Sequence, residues 1–128
     1  MNRRTCLTAV VAGAAALSPA AESKPIQLHV DLTVDPAQER EMLSRFHTEF
    51  KQAAMKQPGY LDAKMVKLRS TLGGQAPQGV NYRFVLRFQS EELRQKWVAS
   101  AVHQRVWPLI ENTLKHKNYN VLLFDEEA

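Results

Sequence analysis

The chain has one cysteine, Cys6, and it lies among the first twenty residues. No disulfide can form within the chain, and no thiolate metal site can be assembled from it. Glycine and proline are sparse, at 5 and 6 of 128 residues, which excludes a collagen-like or low-complexity polymer. A hydrophobic fraction of 45% then requires a packed core in place of disorder. The 4 histidines make no His-x-His or His-x-x-x-His pair, and there is no Gly-x-Gly-x-x-Gly, phosphate loop, serine-nucleophile elbow or Cys-His pair. Histidine metal clusters, nucleotide binding and covalent catalysis therefore find no support.

A long hydrophobic run is missing too. The apolar stretch from Thr5 to Leu17 is too short to span a bilayer core of about 30 Å, so no stable membrane anchor is expected. It follows Arg3-Arg4 and precedes the small residues Ser18-Pro19-Ala20, the order of a secretory signal peptide over residues 1–20. The destination is the periplasm or the exterior, and paired arginines before Leu7 also fit a twin-arginine export signal. Cleavage after Ala20 removes Cys6, Arg3 and Arg4, which cuts the formal charge of +4 by two. So weak a positive balance predicts no nucleic-acid partner.

Residues 21–128 read as one domain. Ile26 to Val34 alternates five aliphatic with four polar residues, the pattern of a half-buried strand. Asp35-Pro36 supplies an N-cap and a first-turn proline, with Gln38 placed as a capping-box partner. Met42, Leu43, Phe46, Phe50, Ala53 and Ala54 recur at helical spacing until Gln57-Pro58-Gly59 ends the helix. Tyr60 to Leu68 reads as a second strand, Ser70 to Asn81 as a long loop that is either a disordered tip or a lid, and Tyr82 to Phe88 as a third strand.

Ser90 caps a second helix, with Leu93, Trp97, Ser100 and Ala101 on its buried stripe and a break expected near Val106 ahead of Pro108. Tyr119 to Phe124 makes the last strand. This order predicts an α+β, ferredoxin-like βαββαβ domain: one four-stranded antiparallel sheet with both helices on one face. Its other face, if it carries Val85, Leu122 and Phe124, needs cover, and a two-fold homodimer supplies it.

Lys56-Gln57-Pro58-Gly59-Tyr60, the run Phe84-Val85-Leu86-Arg87-Phe88-Gln89-Ser90-Glu91-Glu92-Leu93 and the stretch Ala99-Ser100-Ala101-Val102-His103 resemble the antibiotic biosynthesis monooxygenase (ABM) family of dimeric α/β barrels, over roughly Ile26 to Phe124. Phe88 departs from a frequent tryptophan at the end of the third strand. The resemblance implies a homodimer with a pocket between each sheet and its helices. It also implies, for some members, oxidation of phenolic or quinol substrates by O₂ with neither metal nor flavin, so no cofactor is expected. Haem-degrading relatives use an Asn on the first strand with a Trp and a His on the second helix. Trp97 matches that Trp, but Trp107 stands where the His belongs and the first strand has no Asn. Haem degradation is thereby disfavoured, while haem binding stays open.

Seven residues become candidates. His103 is the candidate catalytic base, with a capped helix histidine as its plainer account. Trp97 and Trp107 are candidates for stacking on a planar substrate or for core packing. Phe88 is placed to shape the pocket. His29 and Asp31 share a strand face, and Arg83 is placed to hold an anionic oxygen or to pair with Asp31. Three functions follow: an exported monooxygenase acting on a small aromatic or quinol-like substrate, a noncatalytic periplasmic or stress-related binder of an apolar or haem-like ligand, or a purely structural dimer.

Overall fold

The computed structural model describes residues 24–128, so the expected signal peptide and Cys6 lie outside the described residues. Four strands, β1 (Ile26–Leu32), β2 (Tyr60–Lys67), β3 (Tyr82–Phe88) and β4 (Asn120–Asp125), form one antiparallel sheet in the order β2-β3-β1-β4. Helix α1 (residues 39–55) joins β1 to β2, and α2 (Glu91–Ala99) and α3 (Ala101–Glu111) join β3 to β4. The architecture is the ferredoxin-like α+β domain that the order of elements predicts.

Strand alternation decides the core. Ile26, Leu28, Val30 and Leu32 of β1 and Tyr82, Phe84, Leu86 and Phe88 of β3 are buried on the helix side. Their neighbours Gln27, His29, Asp31, Arg83, Val85 and Arg87 point to the other side, which no helix among the described residues covers. The β1–β4 register adds Leu122 and Phe124 to this open face, opposite His29 and Gln27. The expected apolar patch of Val85, Leu122 and Phe124 is therefore present.

Local chemistry sets the element ends, with several departures from expectation. Val34 leaves β1 and makes an isolated bridge to Leu114. Asp35 caps a 3₁₀ turn (Pro36–Gln38) through its side chain, but its own N–H donates to the Thr113 carbonyl, so the tertiary bond replaces the capping box expected of Gln38. In α1 the turn Phe46–Phe50 is π-helical, a widening that lets Phe46 and Phe50 stack at 5.9 Å and both enter the core. A register shift between Tyr60 and Asp62 sets Leu61 apart from the alternation of β2, and Ala63 and Met65 then face the helices.

The helical break comes at Ser100 and not near Val106. Ser100 is extended (φ −75°, ψ 154°) and its side chain opens α3 by accepting from the His103 N–H. Pro108 sits inside α3, where the bond that it cannot donate is the one to the Gln104 carbonyl. Because the break changes the helical phase, Ala101 is exposed and off the buried stripe, while Trp97, Val106 and Ile110 are buried. The last strand begins at Asn120, which leaves Tyr119 just before it. Loop 68–81 borders a groove of about 460 Å³ beside Asp31, Tyr82 and Arg83.

Candidate functional site

Between the sheet and the helices lies a cavity of about 170 Å³. Its floor is β1 and β3, through Leu28, Val30, Phe84 and Leu86; α1 supplies Phe50, α2 supplies Arg94, Trp97 and Val98, and α3 supplies His103 and Trp107. Tyr119 and Val121 close the side toward β4. The structure thus brings together three of the seven sequence candidates: Trp97, His103 and Trp107.

Aromatic contacts fix the walls. Phe50 meets Phe84 at 5.1 Å, Trp97 at 5.8 Å and Trp107 at 5.8 Å, all edge to face, a geometry that the ring quadrupoles favour. His103 lies edge to face with Trp97 at 5.0 Å and nearly parallel to Trp107 at 6.4 Å. The Trp107 indole N–H donates to the Tyr119 hydroxyl, 3.2 Å, and that hydroxyl donates to Glu111, 2.7 Å. Trp97 is 1% exposed, yet its indole N–H has no acceptor among the described residues.

His103 is half-buried among these rings, and burial, aided by the Arg94 guanidinium, holds its pKa below the ordinary 6.5. The imidazole is therefore neutral at neutral pH, the state that accepts a proton. Arg94 is itself neutralised by bidentate hydrogen bonds to Glu91, both 2.6 Å. An apolar box with one unpaired donor and one neutral base is suited to a neutral aromatic molecule bearing an oxygen.

The other four candidates lie elsewhere. Phe88 keeps the helix-side parity of β3 but sits at its end, paired with Ile26 and Tyr60, wholly buried and outside the cavity lining. His29, Asp31 and Arg83 are on the open face because they occupy the opposite parity. There Arg83 holds the buried Asp31 carboxylate in two hydrogen bonds of 2.6 and 3.2 Å, the pairing account of those residues. The His29 Nε2 contacts the Gln27 side-chain oxygen at 2.9 Å while its Nδ1 is buried without a partner among the described residues. Gln27, His29 and Arg83 border a depression of about 530 Å³ with Arg87, Phe124 and Glu126, whereas Asp31 lines the groove beside loop 68–81. Arg87 and Gln27 both donate to Glu126 and hold its carboxyl down at about 2.

Sequence reading missed Phe50, Phe84, Arg94 and Tyr119 as cavity residues. Glu91-x-x-Arg94 is a helical ion-pair spacing, but nothing in it points inward. Tyr119 was masked by its neighbourhood, which reads as strand. Among the described residues no group of His, Cys, Asp and Glu is arranged to hold a metal ion, and no helix is long and apolar enough to cross a membrane.

By sequence, no family model and no curated protein matches this chain. Its fold does match solved structures. SnoaB, a cofactor-independent oxygenase from Streptomyces nogalater, superposes with a TM-score of 0.65 at 13% identity, over 83% of this chain and 96% of its own. A protein named antibiotic biosynthesis monooxygenase gives 0.60 at 14% identity, over 80% of this chain and 99% of its own. A dimeric ferredoxin-like protein of unknown function from Jannaschia sp. gives 0.64 at 15% identity, covering 81% and 99%. The chain has the fold of the antibiotic biosynthesis monooxygenase proteins.

Proposed function

We propose that this is an exported, homodimeric protein that oxidises a small aromatic or quinol-like substrate with O₂, as a cofactor-independent monooxygenase. The observation that carries the reading is His103: a half-buried histidine, kept neutral by burial, at the wall of an aromatic cavity. The likeness to SnoaB adds support through its described activity. Export rests on the composition of residues 1–20, and the homodimer on the apolar open face together with the dimeric neighbour.

The chemistry follows from the residues. For a phenol with a free para carbon, His103 takes the hydroxyl proton, and the resulting phenolate is electron-rich enough to pass one electron to O₂. Recombination makes a carbon–oxygen bond at the para carbon. Loss of water from that peroxide leaves a second carbonyl, so that phenol and O₂ become quinone and water, with the proton of His103 returned to the water. Trp97 and Trp107 orient the ring, and the Trp97 N–H stabilises the oxygen as its charge develops.

A second reading is a noncatalytic binder. It is favoured by one feature: among the described residues no hydrogen bond reaches the His103 ring, so nothing fixes the tautomer of a base. O₂ uptake on a panel of phenols and quinols separates the two. The oxygenase reading expects turnover that His103→Ala lowers by at least 100-fold, a typical general-base contribution; binding with no O₂ uptake in the wild type overturns it.

A further inference from the structure

We propose that the cavity selects ligands of a single ring bearing a hydrogen-bond-accepting oxygen, and that Tyr119 is the specificity residue that sets its length. This rests on the Trp97–His103 cavity as the ligand site and adds the size of what enters it.

Volume gives the first argument. An apolar cavity of roughly 150 Å³ accommodates a benzene ring, whereas sites for larger drug-sized ligands run to about 300 Å³ and more. At about 170 Å³ the present cavity holds one ring with an oxygen substituent. Three fused rings or a porphyrin exceed that volume and would have to project from the open side of the cavity.

Rigidity gives the second. Phe50 and Trp97 are each 1% exposed and Phe84 is 3% exposed, and their rings brace one another, so the inner walls cannot yield by changing rotamer. The wall toward β4 is made differently. Tyr119 precedes the exposed edge strand and is held by its hydroxyl, which accepts from Trp107 and donates to Glu111. Burial and the Glu111 carboxylate both raise the Tyr119 pKa, so the hydroxyl stays protonated and keeps both bonds at all ordinary pH values. Beyond it lies Val121, 53% exposed. Removing the Tyr119 ring lengthens the cavity toward β4 and also frees Trp107 to turn.

The unpaired donor gives the third. The Trp97 ring lines the cavity and its N–H is buried with no acceptor among the described residues; a small shift of the ring that lets a ligand oxygen reach the N–H relieves that cost, and a plain hydrocarbon does not.

The test is calorimetric binding of phenol, benzene, 9-anthrol and hemin to the whole processed protein, alongside Tyr119→Ala, Tyr119→Leu and Trp97→Phe. Phenol is expected to bind at least tenfold more tightly than benzene and 9-anthrol, with no hemin binding. Trp97→Phe, which keeps a ring and loses the N–H, is expected to abolish the preference for phenol over benzene. Tyr119→Ala is expected to bring 9-anthrol to the affinity of phenol; Tyr119→Leu gives the same answer in milder form should the alanine variant fail to fold. Wild-type binding of 9-anthrol or hemin as tight as phenol, an unchanged size preference in a folded Tyr119 variant, or no phenol binding at all overturns the proposal. Phenol binding without O₂ uptake leaves it standing and removes the oxygenase reading, whereas O₂ uptake on 9-anthrol by the wild type does the reverse.

Discussion

The Trp97 and His103 rings meet edge to face, with centroids 5.0 Å apart and planes at 89°, across the helix break at Ser100. In an unbroken helix, residues six apart are turned by about 240° from one another and face different ways. Ser100 removes that constraint. Its hydroxyl donates to the Trp97 carbonyl at 2.7 Å and accepts from the His103 N–H at 3.2 Å, closing one helix and opening the next.

Ser100→Ala is therefore expected to act on stability and on the site together. Loss of an N-cap costs about 1 kcal/mol, within a range of roughly 0.5–2. Urea unfolding reads that term, and the near-ultraviolet circular dichroism of Trp97 reads the ring geometry. An unchanged spectrum with unchanged stability means that backbone packing, and not this hydroxyl, holds the break.

The Asp31–Arg83 pair predicts an asymmetry. The Asp31 side chain is 3% exposed and that of Arg83 is 44% exposed. Removing the arginine strands a carboxylate in the sheet; removing the carboxylate leaves an arginine that water already reaches. Arg83→Ala is expected to cost about 2 kcal/mol, less than the roughly 3–5 of a pair sealed on both sides because solvent screens the guanidinium. Asp31→Ala costs less, about 1 kcal/mol. Equal losses in urea unfolding contradict the asymmetry.

The sheet was legible in the sequence because its period is two and its faces differ in chemistry: Ile26 to Leu32 and Tyr82 to Phe88 need only alternation to be placed. The two-face layout also followed, once register joined Leu122 and Phe124 to His29 and Gln27. What stayed hidden depends on helix phase. The break at Ser100 competes with one at Pro108, and a proline was the stronger local signal, although the serine hydroxyl had two backbone groups within reach. His29, Asp31 and Arg83 lie apart from His103 for a simpler reason: parity puts them on the side of the sheet away from the helices. Tyr119 acquires its role only through Trp107 and Glu111, contacts that have no spacing rule.

His103 makes stability depend on pH with a defined sign. Its folded-state pKa lies below 6.5, lowered first by burial and then by Arg94. The unfolded chain therefore binds the proton first, so the stability contributed is complete above about pH 6.5 and drains as pH falls toward the folded value. His29 is lowered as well, by burial and by Arg83 against the opposing pull of Asp31, and it adds the same sign. His103→Gln is expected to flatten the fall in urea midpoint between about pH 6.5 and pH 5, and His29→Gln to flatten the remainder. A wild-type midpoint that rises on acidification contradicts both.

The open face makes the last prediction. Leu122 is 43% and Phe124 is 49% exposed on the side that no helix among the described residues covers, and Val121 and Leu123 on the helix side of the same strand are 53% and 48% exposed. Both sides of an edge strand, and its free backbone, are left to solvent, a condition that isolated sheets avoid. A two-fold partner covers such a strand with its own copy, so one substitution enters the interface twice. Phe124→Asp buries two carboxylates in an apolar contact, a cost that a ferredoxin-like monomer escapes by separating. Sedimentation equilibrium is expected to show a wild-type dimer and a Phe124→Asp monomer with the same far-ultraviolet spectrum. Phe124 makes its ring contact with His29, 5.0 Å, within the subunit, so Leu122→Asp, which spares that contact, distinguishes loss of the interface from loss of the subunit's own packing. A wild-type monomer at micromolar concentration removes the dimer, and a dimer that survives both substitutions moves the interface to another surface.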